Sequence, residues 1–271
     1  MPCAWRQPST GCVLAATLAR YVLHISDCHL VATGERLLGV DTQRSLEAVL
    51  SQALQTYMAD AVIASGDLAH APQVAIYQRF LATVRTHTPA PLLCLPGNHD
   101  VLAHMQAASL PMAPVAVGDW TLVPLDSHVD DEPAARVDEA DLKWTAAALA
   151  DSTTAHCLLA AHHPWIAVNC PWLDKDRIQS PEELLEFLAV GSVRDRKPRL
   201  RGVVFGHAHQ AVDGLCAGLP VFGAPATCFQ FAPNSETFGL ADAPPGYRWL
   251  ILEDDGGVRS EVHQVMAAVD G

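Results

Sequence analysis

Five short apolar segments of this chain each end in aspartate, asparagine or histidine, the residue types that bind metals and transfer protons in enzymes. The five polar endings, in chain order, are Asp27-Cys28-His29, Gly66-Asp67, Gly97-Asn98-His99-Asp100, His162-His163-Pro164 and Gly206-His207-Ala208-His209. A single D-x-H pair is usually structural, so no one ending carries much weight. The same arrangement repeated five times indicates one shared site.

The spacing within these endings predicts which side chains share a direction. Neighbouring side chains alternate along an extended segment, so Asp27 and His29 should face one side and Cys28 the other. His207 and His209 should share a side for the same reason. The residues expected to face the site are Asp27, His29, Asp67, Asn98, His162, His207 and His209.

These side chains offer only nitrogen and oxygen atoms as ligands. Their number exceeds the number of ligands in one tetrahedral zinc site. Such a set suits two metals about 3.5–4 Å apart that share a carboxylate. The mixture of imidazole and carboxylate favours iron, manganese, zinc or cobalt over calcium. We therefore expect two divalent or trivalent metal ions, with iron and manganese first and zinc or cobalt as alternatives.

Alternating apolar strands and amphipathic helices are predicted to position these residues. Strands are predicted at 21–26, 61–65, 91–96, 120–126, 156–163, 201–206, 219–224, 247–253 and 258–265, and helices at 41–58, 72–84, 138–150 and 180–190. The carboxyl ends of strands in an α/β sheet converge on one edge, where such folds bind ligands. The pattern predicts one α/β domain over residues 1–271, with an N-terminal extension (1–20) and a strand-rich last part (210–271).

Composition narrows the class of protein. Half of the 271 residues are apolar and 17% are charged, as in a globular chain, and the net charge of −13 argues against nucleic acid as a partner. No apolar run is long enough to span a membrane, and the N-terminal stretch is a poor secretory signal. The eight cysteines form no C-x-x-C pair, which is typical of free thiols in the cytoplasm.

The ordered set D-x-H, G-D, G-N-H-D, H-x-P and G-H-x-H resembles the calcineurin-like metallophosphoesterase superfamily. Further stretches are similar to bacterial class III 3′,5′-cyclic AMP phosphodiesterases: LLGVDTQRSLEAVL, CPWLDKDRIQS, GHAHQ followed by GAPATCFQFAP, and APPGYRWLIL. The resemblance spans nearly the whole chain. It implies a four-layer αββα sandwich with a dinuclear metal site at the C-terminal ends of the strands.

The resemblance also implies roles for individual residues. One metal would bind Asp27, His29, Asp67 and His209, and the other Asp67, Asn98, His162 and His207, with Asp67 shared. His99 would be the catalytic acid, and His29, Asn98, His99 and His209 would contact substrate. His163 would point away from the metals, Asp100 is interpreted as a helix N-cap, and Trp172 is a candidate for lining the pocket.

The implied activity is hydrolysis of 3′,5′-cyclic AMP to 5′-AMP, with attack by a metal-bridging hydroxide and protonation of the leaving oxygen by His99. The substrate would be a small molecule and the protein a monomer or homodimer. A broader phosphodiesterase acting on 2′,3′-cyclic nucleotides or glycerophosphodiesters is the alternative enzyme. A non-catalytic scaffold is the alternative from another class, because some proteins with this fold have lost their ligands.

Position 70 departs from the family pattern. Many superfamily members carry an aspartate three residues after the bridging aspartate, where this chain has His70. A carboxylate would favour the protonated form of His99 more than a neutral imidazole does. We therefore expect activity tuned to lower pH, unless another acid orients His99. Measured pH–rate profiles that coincide for the wild type and His70→Asp would contradict this hypothesis.

Overall fold

The computed structural model describes residues 19–190 and 199–265, without the side chain of Val190. The strands are β1 Arg20–Ile25, β2 Ala61–Ala64, β3 Leu92–Cys94, β4 Val115–Val117, β5 Trp120–Pro124, β6 His156–Ala160, β7 Arg199–Phe205, β8 Val212–Cys216, β9 Leu219–Gly223, β10 Gly246–Leu252 and β11 Val258–Gln264. The helices are α1 Thr42–Thr56, α2 Val74–His87, α3 Leu102–Ala107, α4 Glu139–Asp151, α5 Pro171–Asp174 and α6 Pro181–Val190.

The strands form two sheets. The first has the order β11-β10-β1-β2-β3, in which β1, β2 and β3 are parallel and the β10–β11 hairpin joins antiparallel beside β1. The second has the order β4-β5-β6-β7-β9-β8, with β5, β6, β7 and β9 parallel. Parallel neighbours bring their carboxyl ends to the same edge, so each sheet delivers its loops to one side.

Three apolar clusters separate the layers. One packs α1, α2 and α3 on the outer face of the first sheet, and another packs α4, α5 and α6 on the outer face of the second. The third lies between the sheets, where Ile63 and Leu93 meet Leu122, Leu158 and Val204. Opposite side chains of one strand serve different clusters, since Leu23 faces the helices and Val22 the other sheet. The four-layer αββα sandwich is therefore confirmed.

Helix starts follow local side-chain chemistry. The Asp41 carboxylate accepts a hydrogen bond from Arg44 N at the start of α1, and Asp138 accepts from Ala140 N and Asp141 N at the start of α4. Both are N-caps that satisfy otherwise unpaired backbone donors. Helix α2 begins at Val74, two residues after Pro72, because the cap residue Gln73 is extended. The periodic apolar positions of α1 lie buried, as predicted: Leu46, Val49, Leu50 and Ala53.

Three short elements escaped the sequence prediction. Strand β4 has only three residues, and β8 pairs only with β9 at the edge of its sheet. Neither strand contains the long apolar run by which a buried strand is predicted. Helix α5 is a single turn that opens on Pro171. The predicted extension at 1–20 falls almost entirely outside the described residues, and a single domain over 1–271 stays a prediction. No helix in the described ranges is both long and apolar enough to cross a membrane.

Candidate metal centre

The predicted site residues meet at one end of the sandwich, in the loops that follow strands of both sheets. Asp27, Asp67 and Asn98 follow β1, β2 and β3 of the first sheet, whereas His162 and His207 follow β6 and β7 of the second. The expectation that all five endings lie on one sheet edge was therefore wrong. The site lies between two sheets because each contributes the loops at its own carboxyl edge.

One half of the centre contains Asp27, His29 and His209. The Nε2 atoms of His29 and His209 are 3.1 Å apart, and His209 Nε2 lies 3.5 Å from Asp27 Oδ1. All three side chains are buried, and one ligand atom of each lies within 4.8 Å of the others. These three residues belong to the first predicted ligand set, which also includes the shared Asp67.

The other half contains Asn98, His162 and His207. The Oδ1 atom of Asn98 lies 3.1 Å from His162 Nε2 and 2.9 Å from His207 Nδ1. Asp67 lies between the halves, with Oδ2 3.5 Å from His29 Nε2 and Oδ1 3.6 Å from His162 Nε2. Its two oxygens thus face different ligand groups, as expected of a shared carboxylate.

Backbone carbonyls fix the orientation of two of these imidazoles. His162 Nδ1 lies 2.8 Å from the Ser65 carbonyl, and His209 Nδ1 lies 2.7 Å from the Phe229 carbonyl. A carbonyl only accepts, so both Nδ1 atoms carry the proton and both Nε2 lone pairs face the centre. This is how metal-binding histidines are commonly held, with the second nitrogen bonded outside the site.

Burial shifts the pKa values of the carboxylates and imidazoles in the centre. It raises the pKa of Asp27 well above its usual value, and the neighbouring Asp67 carboxylate adds to this; burial also raises the pKa of Asp67. Burial lowers the pKa of His162 and of His209 to about 3. The imidazoles are therefore neutral and present lone pairs to carboxylate and amide oxygens.

The donor set fits divalent cations. Acceptors face acceptors across the centre, and the buried atoms Asp27 Oδ2, His29 Nδ1 and His207 Nε2 have no hydrogen-bond partner. A positive charge among these atoms would offset the cost of burying them unpaired. The cluster is thus able to bind metal, and nitrogen and oxygen ligands in this mixture suit transition metals.

The backbone that presents these residues is not extended. Asp27, His29, Asp67, His207 and His209 all have φ between 44° and 61°, in the left-handed region. The side-chain alternation used to group them was therefore the wrong geometry, although the residues it selected are the ones that meet. Aspartate, asparagine and histidine tolerate this region better than most residues, and strained conformations of this kind concentrate at functional sites.

Gly97 is required by close packing beneath the centre. A Cβ atom at this position would overlap the Asp67 carboxylate and backbone, and would also lie 2.7 Å from the His162 ring. The absence of a side chain at Gly97 thus leaves the space in which Asp67 and His162 approach each other.

The family model described as Calcineurin-like phosphoesterase matches residues 20–211, which include all seven predicted ligands. The chain belongs to the calcineurin-like phosphoesterase family. The 3′,5′-cyclic adenosine monophosphate phosphodiesterases CpdA of Escherichia coli (strain K12) and Pseudomonas aeruginosa are 36% and 34% identical to this phosphoesterase, each match covering 90% of this chain and 89% of the relative.

Solved structures agree on the fold of the phosphoesterase. TT1561 of Thermus thermophilus superimposes with a TM-score of 0.54 at 14% identity, covering 92% of this chain and 100% of that chain. At this identity the likeness concerns the fold alone. The two-sheet arrangement with loops meeting at one end is therefore common to this chain and that structure.

His99 lies beside the centre of the phosphoesterase without joining either ligand group. Its backbone N–H donates to Asp67 Oδ1 at 2.8 Å, and this bond does not involve the imidazole ring. The ring centroid is 4.9 Å from that of His29 and 4.9 Å from that of His70, with the His70 ring stacked at 29°. Partial burial, with His99 nearby, lowers the pKa of His70. The imidazole at position 70 therefore packs directly against the proposed proton donor.

Asp100 is not a helix N-cap. Helix α3 begins at Leu102 with Val101 as its cap residue, and the Asp100 carboxylate is turned into the protein. It accepts hydrogen bonds from the backbone N–H groups of Leu68, Ala69 and Gly97 and from the Tyr77 hydroxyl. Burial, with Asp67 nearby, raises the pKa of Asp100 to about 7. The N-cap interpretation failed because these partners come from the preceding loops rather than from the next helical turn.

We expect Asp100→Ala to lower the free energy of unfolding by about 3 kcal/mol or more, because each buried donor left without an acceptor costs about 1–3 kcal/mol. Asp100→Asn keeps one acceptor oxygen and should cost less. Urea unfolding of both variants beside the wild type measures the difference. Equal stabilities for all three proteins would show that the carboxylate does not organise the loops.

His163 lies against the second ligand group, with its ring centroid 4.9 Å from that of His207, so its orientation away from the metals stays a prediction. Its Nδ1 lies 2.8 Å from Ser127 Oγ and its Nε2 lies 3.2 Å from the Pro133 carbonyl, so both nitrogens have partners.

Sequence reasoning missed the carbonyls of Ser65 and Phe229, since a backbone group carries no residue signature. It also missed Phe231, whose ring stacks on His209 with centroids 3.9 Å apart; the apolar run CFQF after GAPAT was the available signal.

Proposed function

We propose that this phosphoesterase is a metal-dependent phosphodiesterase that hydrolyses 3′,5′-cyclic AMP to 5′-AMP. The observation that carries the proposal is a pair of ligand groups facing one shared carboxylate, Asp67, with the unligated His99 beside them. The two CpdA relatives named for cyclic AMP support the substrate. Both cover most of this chain, so the likeness extends beyond the metal motifs.

In this proposal one cation is held by Asp27, His29, Asp67 and His209, and the other by Asp67, Asn98, His162 and His207. When bound, such a pair lowers the pKa of a shared water and neutralises charge on the phosphoryl oxygens. Iron and manganese are the expected metals, and zinc or cobalt suit the same ligands. The neutral state of the buried imidazoles supports this assignment, because a ligand imidazole must be deprotonated at the binding nitrogen.

His99 provides the proton for the leaving group. As the oxygen of a deprotonated water forms a bond to phosphorus and the bond from phosphorus to O3′ breaks, O3′ takes a proton from the His99 ring and leaves as the ribose hydroxyl. A ribose alkoxide is a poor leaving group, so a positioned acid accelerates this step. We propose that His29, Asn98 and His209 line the phosphate side of the site next to His99. The hydrogen bond that the His99 backbone N–H donates to Asp67 Oδ1 holds the proposed proton donor at a fixed position beside the centre.

A cluster of three aromatic residues, here termed the aromatic surface, lies next to His209 and could receive the base. It consists of Phe231, Phe238 and Trp172, with ring centroids 5.0–5.6 Å apart. Phe231 stacks on His209, and Phe238 is 55% exposed. Any nucleobase can stack on aromatic rings. This surface therefore favours nucleotides as substrates over diesters that lack a base, but it does not select adenine. Trp172, the candidate for lining the pocket, packs on Phe231 and Phe238 in this surface.

We expect Phe238→Ala to raise KM for cyclic AMP about tenfold, because loss of one stacking partner costs about 1–3 kcal/mol. KM for ribose 3′,5′-cyclic phosphate, which has no base, should stay the same. Phe187→Ala on α6 is the matched control, since this phenylalanine is also exposed. An equal rise of KM for both substrates would contradict base stacking at Phe238.

The deciding experiment measures kcat/KM for 3′,5′-cyclic AMP, 3′,5′-cyclic GMP, 2′,3′-cyclic AMP and glycerophosphodiesters on protein of known metal content. A clear preference for 3′,5′-cyclic AMP with 5′-AMP as product is expected. Comparable rates on all diesters would favour the broader phosphodiesterase, because the centre itself recognises phosphate.

We also place the protein in the cytoplasm, as a monomer or homodimer acting on a small molecule, without nucleic acid or membrane partners. The cysteines support a reducing compartment, since Cys28, Cys94, Cys157, Cys170, Cys216 and Cys228 are free and buried. Cys3 and Cys12 lie outside the described residues. Burial raises the pKa of the Cys28 thiol to about 12, so this residue between two proposed ligands is an inert thiol.

A further inference from the structure

Beside the first proposed ligand group, and sharing His29 with it, three imidazoles form a further cluster, here termed the imidazole triangle. It consists of His29, His70 and His99, with ring centroids 4.9 Å (His29–His99), 4.9 Å (His70–His99) and 5.5 Å (His29–His70) apart. One ring nitrogen of each residue lies within 4.8 Å of the other two. His29 is buried, and His70 and His99 are partly exposed.

The nitrogens of this cluster are short of partners. His29 Nε2 is the atom that faces His209 and Asp67, which leaves its buried Nδ1 without a hydrogen bond. The Nδ1 atom of His70 is also buried and has no partner. A buried imidazole nitrogen without a partner carries a desolvation cost that a bound ligand would remove.

The backbone holds the triangle in place. His70 N–H donates to the Leu30 carbonyl at 3.0 Å, and His99 N–H donates to Asp67 Oδ1 at 2.8 Å. The backbones of both residues are thus bonded to loops that carry proposed ligands, the loop after β1 and the loop after β2. Two partly exposed imidazoles on fixed backbones need only side-chain rotation to bring two nitrogens onto one ion.

We infer that His70 and His99, packed against His29, form a third cation site that takes a borderline transition metal such as Zn²⁺ and blocks the proton donor. Imidazole pairs suit Zn²⁺, Cu²⁺ and Ni²⁺, whereas Mg²⁺ and Ca²⁺ prefer oxygen ligands. An ion on the His99 nitrogen occupies the lone pair that would otherwise carry the proton to O3′. The regulatory meaning of this site rests on the proposed function, but its existence does not.

The consequence is a biphasic response to metal. Occupation of the main centre should support turnover, and a further equivalent of Zn²⁺ should inhibit it. Total bound metal should rise by one ion per chain as inhibition sets in. The dependence on His70 distinguishes this inhibition from exchange of Zn²⁺ into the main centre, where His70 is not among the proposed ligands.

The test loads the purified holoenzyme with Zn²⁺, removes free ion by desalting, and measures the sum of all metals per chain together with cyclic AMP turnover. The wild type should hold three ions and be inhibited. His70→Gln should hold two, with a half-inhibitory Zn²⁺ concentration about tenfold higher or more, since loss of a single supporting group already weakens metal binding about 10–100-fold. His87→Gln, which removes a histidine outside the triangle, should behave as the wild type.

The His99→Gln variant is a second test, which needs only the metal content, and it should also hold two ions. Two ions in the wild type, or three ions in His70→Gln, would overturn the inference. Failure of the proposed function is separate, because it would appear as no 5′-AMP formation before any Zn²⁺ is added. In that case the metal counts of the wild type and His70→Gln still decide whether the third site exists.

Discussion

His99→Ala is expected to keep both cations bound while cyclic AMP turnover falls about 10²–10⁴-fold, the usual contribution of a positioned general acid. The metals should remain because the ring lies outside both proposed ligand groups. The contact from position 99 to Asp67 Oδ1 is made by the backbone N–H, which alanine retains. The loss should therefore fall on kcat, with metal content per chain unchanged.

A substrate with a better leaving group sharpens this result. 4-Nitrophenolate leaves without a proton, so bis(4-nitrophenyl) phosphate should lose much less activity in His99→Ala than cyclic AMP does. His104→Ala serves as the control, since His104 lies on α3 with its Nδ1 3.1 Å from the Pro72 carbonyl. Unchanged turnover of cyclic AMP in His99→Ala would remove the proton-donor role. A wild type inactive on every diester would favour the non-catalytic alternative.

Asp67→Asn is expected to have opposite effects on the metal-loaded and the metal-free protein. With metal, loss of the shared carboxylate charge should lower occupancy to below two ions per chain, and both turnover and thermal stability should fall. Without metal, Asp27 and Asp67 are neighbouring buried carboxylates, each with a raised pKa, and removing one charge relieves the cost of burying both. The variant should then melt at a higher temperature than the wild type.

The measurement is Tm for both proteins with metal and after chelation, together with metal content. Asparagine keeps an acceptor for the His99 N–H, so the loop should be preserved in the comparison. Asp41→Asn is a matched control, because asparagine caps α1 as well as aspartate does and should leave the chelation effect unchanged. A metal-free Asp67→Asn that melts below the metal-free wild type would show that carboxylate repulsion does not dominate the empty cluster.

Much of this fold could be predicted from local sequence. The strands at 61–65, 120–126 and 247–253 are short apolar runs of the kind that form buried strands, and α1 has helical periodicity with an aspartate at its start. Such signals come from residues that are close in sequence, so each segment specifies its own conformation. The residues of the candidate centre could be located in the same way, because they follow the apolar strands β1, β2, β3, β6 and β7.

Longer-range features were predicted less well. Asp100 was interpreted as a cap because the residues after it begin a helix, yet its partners include amides 31 and 32 residues earlier in the chain. The alternation argument assumed extended strand ends, whereas the loops turn through left-handed conformations at Asp27 and His29. A single sequence offers no signal for either, because both depend on which loops pack together.

The sequence by itself determined which residues gather at the candidate centre and that they offer nitrogen and oxygen atoms, since residue type and position after a strand are local properties. Only the tertiary structure decided that these residues come from two facing sheets and that the oxygens of Asp67 face both proposed ligand groups. It also decided that His70 stacks on His99. These are distances between segments far apart in the chain, and the packing of the two sheets and their loops sets them.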